Sequence, residues 1–104
     1  MWVRMSTFQG SPNQTDEEIE QQVSMLRETI LPAVKSLDGY RGLIDVGDKS
    51  SGKGITLTFW ESEEAMRASE EAANRLRDQA AEKTAEEISG VERFEVRIHE
   101  PPRG

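Results

Sequence analysis

Five side chains in this sequence could do chemistry together. His99 is the only histidine of the chain. Its unperturbed pKa lies near neutrality, so it could accept a proton from a substrate. Arg4 and Arg97 fall at alternate positions of two apolar-polar segments, one at each end of the chain. A guanidinium there could hold a substrate carboxylate or phenolate through a forked hydrogen bond; the plainer alternative is a cross-strand pair with Glu95. Trp2 and Trp60 could give a ligand an apolar wall. Trp60 equally suits the packing of a strand-to-helix corner, since tryptophan is mostly buried. His99 also has a plainer reading, four residues after Glu95 and close to the end of the chain.

Composition narrows what these groups could serve. The chain has 104 residues, room for a single core, and no cysteine. Without cysteine there is no disulfide, no thiol nucleophile and no thiolate metal site. One histidine cannot make a histidine-rich site, so no metal, haem or flavin is expected. Twenty acidic against 13 basic residues give a formal charge of −7, which repels nucleic acid on average. MWVRMSTFQG lacks an apolar run long enough for a signal peptide or a membrane span, so a cytoplasmic protein without a membrane partner is expected. Gly47 to Gly54 comes within one residue of G-x-x-x-x-G-K-[ST]. A strand follows it, whereas phosphate binding needs a helix N-terminus; a hairpin loop is the expected outcome.

The elements that must position the five side chains follow from periodicity. Residues 2–9 alternate weakly as a strand, and Gly10 to Asn13 end it. Thr15 and Glu18 form a capping box. Ile19, Val23, Leu26, Ile30, Val34 and Leu37 then make one amphipathic stripe, with a kink expected at Pro32 and a stop at Gly39. Residues 40–47 read as a second strand whose facing is ambiguous, because Leu43 and Ile44 are adjacent. Ile55, Leu57 and Phe59 alternate with Thr56, Thr58 and Trp60 in a third strand. Ser62 caps a second helix running from about Glu63 towards Ala80, with Ala65, Ser69, Ala73, Leu76 and Ala80 inward, followed by a break near Glu82 or a short further helix. Residues 91–99 alternate as the last strand, Phe94, Val96 and Ile98 against Arg93, Glu95, Arg97 and His99.

The order βαββαβ predicts an α+β, ferredoxin-like fold, two helices over one face of a four-stranded antiparallel sheet. The domain is expected over 1–100, with 101–104 a tail. The apolar faces (Val3, Met5, Ile55, Leu57, Phe59, Phe94, Val96, Ile98) are expected under the helices. Trp2, Arg4, Ser6, Phe8, Thr56, Thr58, Trp60, Glu95, Arg97 and His99 would then be uncovered. Large aromatics exposed together mark an interaction surface, which predicts a homodimer.

Two segments resemble a known family. Leu31-Pro32 with Leu37-Asp38-Gly39-Tyr40-Arg41-Gly42, and Phe59-Trp60-Glu61-Ser62-Glu63-Glu64-Ala65, are similar to the "P…GfrG" and "W-x-S-x-E-A" segments of the dimeric α+β barrels typified by antibiotic biosynthesis monooxygenases. The resemblance covers residues 2–99. It implies two sheets packed face to face in a homodimer, with a small-molecule cavity between sheet and helices in each subunit. Some relatives oxidise polycyclic phenols with molecular oxygen and no metal or flavin; others degrade haem. The haem-degrading members use an Asn on the first strand and a Trp and His on the second helix. This chain has Thr7 and Phe8 in the first region, and neither Trp nor His in the second helix. The expectation is a dimeric barrel that binds a small aromatic ligand and acts as a cofactor-independent monooxygenase on a quinol-like substrate. In it Arg4 and Arg97 bind an anion, Trp2 and Trp60 form the wall, and His99 accepts the proton. The competing expectation is a non-catalytic homodimeric module with a filled barrel.

Overall fold

In the computed structural model, which describes residues 1–102, the chain runs through β1 (Trp2–Gln9), α1 (Asp16–Met25), a π turn (Leu26–Ile30), α2 (Leu31–Lys35), β2 (Tyr40–Asp48), β3 (Lys53–Trp60), α3 (Glu63–Ala68), α4 (Glu70–Thr84) and β4 (Glu87–Glu95). The sheet is antiparallel in the order β2-β3-β1-β4. This is the ferredoxin-like βαββαβ arrangement. Two residues of the expected tail 101–104 lie outside the described residues.

Local signals account for the element ends. Thr15 accepts from the Glu18 amide at 3.1 Å, and the Glu18 carboxylate receives the Thr15 amide, completing the capping box. Ser62 accepts from the Ala65 amide at 3.1 Å and starts α3. Pro32 has no N–H for the carbonyl of Glu28 and its ring crowds that carbonyl. The chain accommodates it by widening the preceding turn, so that the Leu31 amide bonds back to the Leu26 carbonyl. The expected kink is thus a π turn immediately before the proline. In the hairpin loop, Gly52 has φ +79°, and a Cβ there would meet the Gly10 and Ser11 carbonyls at 2.5 and 2.4 Å. The glycine lets the loop dock on the chain after β1.

Three expectations are corrected. The second helix breaks at Ser69, not near Glu82, and continues to Thr84. The Ser69 hydroxyl donates to the Met66 carbonyl at 2.7 Å and competes with the helical ladder there. The last strand is Glu87–Glu95, not 91–99. Ala85, in left-handed conformation at φ 56°, closes α4 early enough for pairing to begin at Glu87, so Arg97 and His99 lie beyond the strand.

The third correction concerns the faces of the sheet. Trp2, Arg4, Ser6 and Phe8 point towards the helices, with Thr56, Thr58 and Trp60 beside them in register. Trp60 is fully buried in a cluster with Met66 and Val34, against which Trp2, Leu31 and Tyr40 pack. The uncovered face carries the more apolar set: Val3, Met5, Ile55, Leu57, Phe59 and Phe94. Ile44, Val46 and Phe94 there are 47%, 48% and 47% exposed. Period-2 alternation fixes which residues share a face, but burial by the helices decides which face is covered.

Candidate functional site

The polar face of the sheet does not pack flat against the helices. Between them lies a cavity of about 540 Å³, within the range of small-molecule sites. Its floor is built by alternate residues of three strands: Arg4, Ser6 and Phe8 from β1, Thr56 and Thr58 from β3, Leu43 and Asp45 from β2. A bulge at Arg41 makes the β2 contribution possible. Tyr40 opposes Trp60, whereas Gly42 opposes Phe59. The extra residue resets the alternation, so Tyr40, Leu43 and Asp45 all reach the cavity. Val23, Leu26, Ile30, Leu31 and Val34 form the roof, from α1 through the π turn to α2, and Leu76 and Arg77 of α4 close one side. π turns recur at functional sites, and here one supplies three wall residues.

Arg4 is the most constrained polar group of the floor. It is 2% exposed. Its Nη2 donates to the Met66 carbonyl at 2.8 Å, to Ser69 Oγ at 3.1 Å and to Glu70 Oε1 at 3.0 Å. Its Nε is buried with no acceptor. The guanidinium stands 5.4 Å from the Trp60 ring centroid, within cation–π range. Glu70 also receives Arg93 Nε and Nη2 at 2.6 and 2.7 Å. The bond from Arg93 and then that from Arg4 outweigh the desolvation of Glu70 and hold its carboxyl at about 2, below the usual 4.5.

The other ionisable groups have different surroundings. Burial lowers the pKa of Arg77, and the charge of Arg4 lowers it further. The guanidinium of Arg77 donates to Asn74 Oδ1, a neutral acceptor. Asp45, at the open edge of the cavity, accepts from Thr56 Oγ1 at 2.8 Å. Desolvation raises its carboxyl pKa, and the bond from Thr56 offsets part of the rise. Partial burial likewise raises the Tyr40 phenol.

Of the five side chains singled out by sequence, Arg4 lines the cavity. Trp2 and Trp60 lie on the same side of the sheet but in the adjoining packed cluster. Trp60 packs edge-on against Tyr40 at 6.2 Å, and its Nε1 donates to Thr58 Oγ1 at 3.0 Å. Arg97 and His99 are exposed beyond β4. The His99 ring stacks on Phe59 at 5.7 Å, on the face of the sheet away from the cavity. The pairing of Arg4 with Glu95 does not form; its carboxylate partner is Glu70. Sequence reasoning missed Tyr40, Asp45 and Arg77. One signal for Arg77 was available: it is four residues after Ala73 and three before Ala80, a charge inside the inward stripe of α4.

No protein-family model matches the chain. Two uncharacterized Mycobacterium tuberculosis proteins are similar in sequence. Rv2557 is 33% identical over 82 residues, 79% of this chain and 35% of its own length; Rv2558 is 35% identical over 81 residues, 78% and 33%. The chain thus spans about a third of the length of these curated relatives. Among solved structures, a candidate antibiotic biosynthesis monooxygenase from Deinococcus radiodurans superposes with a TM-score of 0.66 at 17% identity, covering all of both chains. The Streptomyces coelicolor monooxygenase ActVA-Orf6, in complex with nanaomycin D, gives 0.66 at 16%, covering 98% and 92%. MhuD with two manganese protoporphyrin IX molecules per active site gives 0.60 at 21%, covering 98% and 100%. At such identities the likeness is one of fold, and the fold is that of the antibiotic biosynthesis monooxygenase-like proteins.

Proposed function

We propose that this chain binds a small aromatic molecule in the cavity between sheet and helices, and that it oxygenates a quinol-like substrate there without a bound cofactor. The observation that carries the reading is the cavity itself, with an apolar roof facing a floor that holds a buried arginine. A filled-barrel module would not leave such a space. The ligand-bound structure of ActVA-Orf6 supports the reading by likeness of fold.

In this chemistry the substrate supplies the electrons. A phenol and one O₂ give a quinone and one water, so one oxygen atom enters the ring and the other leaves as water. The protein has three tasks: to stabilise the substrate anion, to keep bulk water out, and to accept a proton. Arg4 and Arg77 suit the first and the leucine-rich roof the second. Asp45 lines the cavity and burial raises its carboxyl above the usual 3.8, so it suits the third better than His99, which stacks on Phe59 across the sheet. A homodimer joined through the uncovered apolar face and a cytoplasmic setting belong to the same reading.

The test is oxygen uptake with a panel of polycyclic phenols, followed by isotope-labelled O₂ and mass analysis of the product. Uptake above the uncatalysed rate, with one labelled atom in the quinone, is the expected result. Ligand binding without uptake across the panel would leave a binding protein and remove the oxygenase.

A further inference from the structure

The chain as a whole is strongly acidic, at −7, yet its cavity is not. Arg4, Arg27, Lys35 and Arg77 line it against one carboxylate, Asp45. Two of these cations, Arg4 and Arg77, lie at the α4 end. Three guanidiniums, those of Arg4, Arg77 and Arg93, bear on a single carboxylate there, Glu70. Glu70 bonds to Arg4 and Arg93. Among the described residues Arg77 makes no ion pair; Glu70 and then Asp78 offset its charge without pairing with it, and its guanidinium donates to the neutral Asn74 Oδ1. Arg77 is half-buried. A partly desolvated cation with no carboxylate bonded to it is costly, and an oxyanion in the cavity would relieve the cost. The Nε of Arg4 also has no acceptor, but it is sealed from the cavity and no ligand reaches it. Beyond this end the wall is apolar, made by Leu26, Ile30, Leu31, Val34, Leu43 and Leu76.

We propose that the cavity takes an aromatic carboxylate, with its acid group held by Arg77, the charge of Arg4 behind it, and its rings laid against that leucine-rich wall. A planar carboxylate matches the fork of a guanidinium, and a cation at one end with an apolar wall beyond it fixes the ligand's direction. The rings enter the apolar wall by exclusion from water. This rests on the reading of the cavity as a small-molecule site and adds the charge of its ligand. It requires no redox step.

The test uses 2-naphthoate and its neutral counterpart 2-naphthalenemethanol, with affinities from titration calorimetry and the site mapped by amide chemical shifts. The acid is expected to bind at least about tenfold more tightly than the alcohol, as charge-assisted hydrogen bonds are the strong ones. Arg77→Gln should bring the two affinities to within about twofold by weakening the acid alone, while the surface variant Arg75→Gln leaves both unchanged. Unfolding midpoints of both variants establish that they are folded. Arg4 is left intact, because its contacts to α3 and α4 make it part of the core. Equal binding of acid and alcohol to the unmodified protein, or an acid preference that survives Arg77→Gln, would overturn the inference and leave the cavity a ligand site. If neither compound shifts any cavity amide, the inference and the small-molecule reading fail together.

Discussion

Arg4 and Trp60 meet diagonally across neighbouring strands, with the guanidinium carbon of Arg4 5.4 Å from the centroid of the Trp60 ring. The contact joins the two parts of the covered face. On one side is the packed cluster of Trp60, Met66 and Val34; on the other is the cavity floor. The indole closes the packed cluster beside the arginine and restricts water there, which strengthens each hydrogen bond the arginine makes.

Trp60→Ala should therefore act on stability before it acts on binding. The ring is fully buried, touches Tyr40, and donates to Thr58 Oγ1. Removing it is expected to cost about 3–5 kcal/mol, a large part of the stability of a small domain. Denaturant unfolding measures this. A variant that unfolds at nearly the unmodified midpoint would show that the ring does not hold the corner and would return Trp60 to the list of binding residues.

This corner also shows what was legible from sequence. Ser62 and Thr15 mark element ends through short-range chemistry, and each did so where expected; the helix expected to stop at Gly39 ends earlier, at Lys35, and Gly39 with φ 82° turns the chain into β2. The four strands and their order followed from periodicity. The covered face did not, because the usual inference puts the more apolar set under the helices. Here Ser6, Thr56 and Thr58 are covered as the polar floor of the cavity, while Ile44, Val46 and Phe94 stay uncovered. Arg4 was found as a candidate for its type alone. Asp45 was hidden by the bulge at Arg41, which changes the phase of β2. Arg77 enters the site through the packing of α4 on the sheet, a long-range fact.

Glu70→Gln should lower stability by about 1–3 kcal/mol near neutral pH, because two arginines lose their charged acceptor. Arg4 keeps its bonds to Met66 and Ser69, which limits the loss. The pH dependence carries the diagnostic sign. The Glu70 carboxyl is depressed from 4.5 to about 2 in the folded chain. Its stabilisation is full above 4.5 and is lost as pH falls towards 2. Unfolding midpoints of the two proteins should therefore converge across that window. A constant gap down to the lower limit would mean that Glu70 stabilises by shape rather than by charge.

The uncovered face predicts association. Val46 and Ile44 stand 48% and 47% exposed on it, beside Phe94. Light scattering at micromolar concentration should give twice the 11.7 kDa of one chain. Val46→Glu should weaken the pair at least about a hundredfold, since an unpaired charge in an apolar interface costs several kcal/mol. The exposed position should leave the fold of each chain intact. A single-chain mass for the unmodified protein would overturn the homodimer.

Asp45 gives the opposite pH signature to Glu70, and with it a way to separate structure from chemistry. Desolvation at the cavity edge raises its carboxyl above the usual 3.8, despite the bond from Thr56. A raised carboxyl makes ionisation favour the unfolded chain. The folded state is then least penalised below 3.8, and stability falls as pH rises through the folded value. Asp45→Asn removes the charge and keeps an oxygen for the Thr56 hydroxyl. It should stabilise the protein slightly at neutral pH, by no more than about 0.5 kcal/mol because the side chain is partly in water, and the gain should vanish in acid. If Asp45 accepts the substrate's proton, the same variant should lose about 10²–10⁴-fold in turnover. A merely structural aspartate would not combine a gain in stability with a loss of rate. Thermal unfolding at several pH values, set beside oxygen uptake, reads both signs, and a variant that keeps full turnover would remove Asp45 from the reaction.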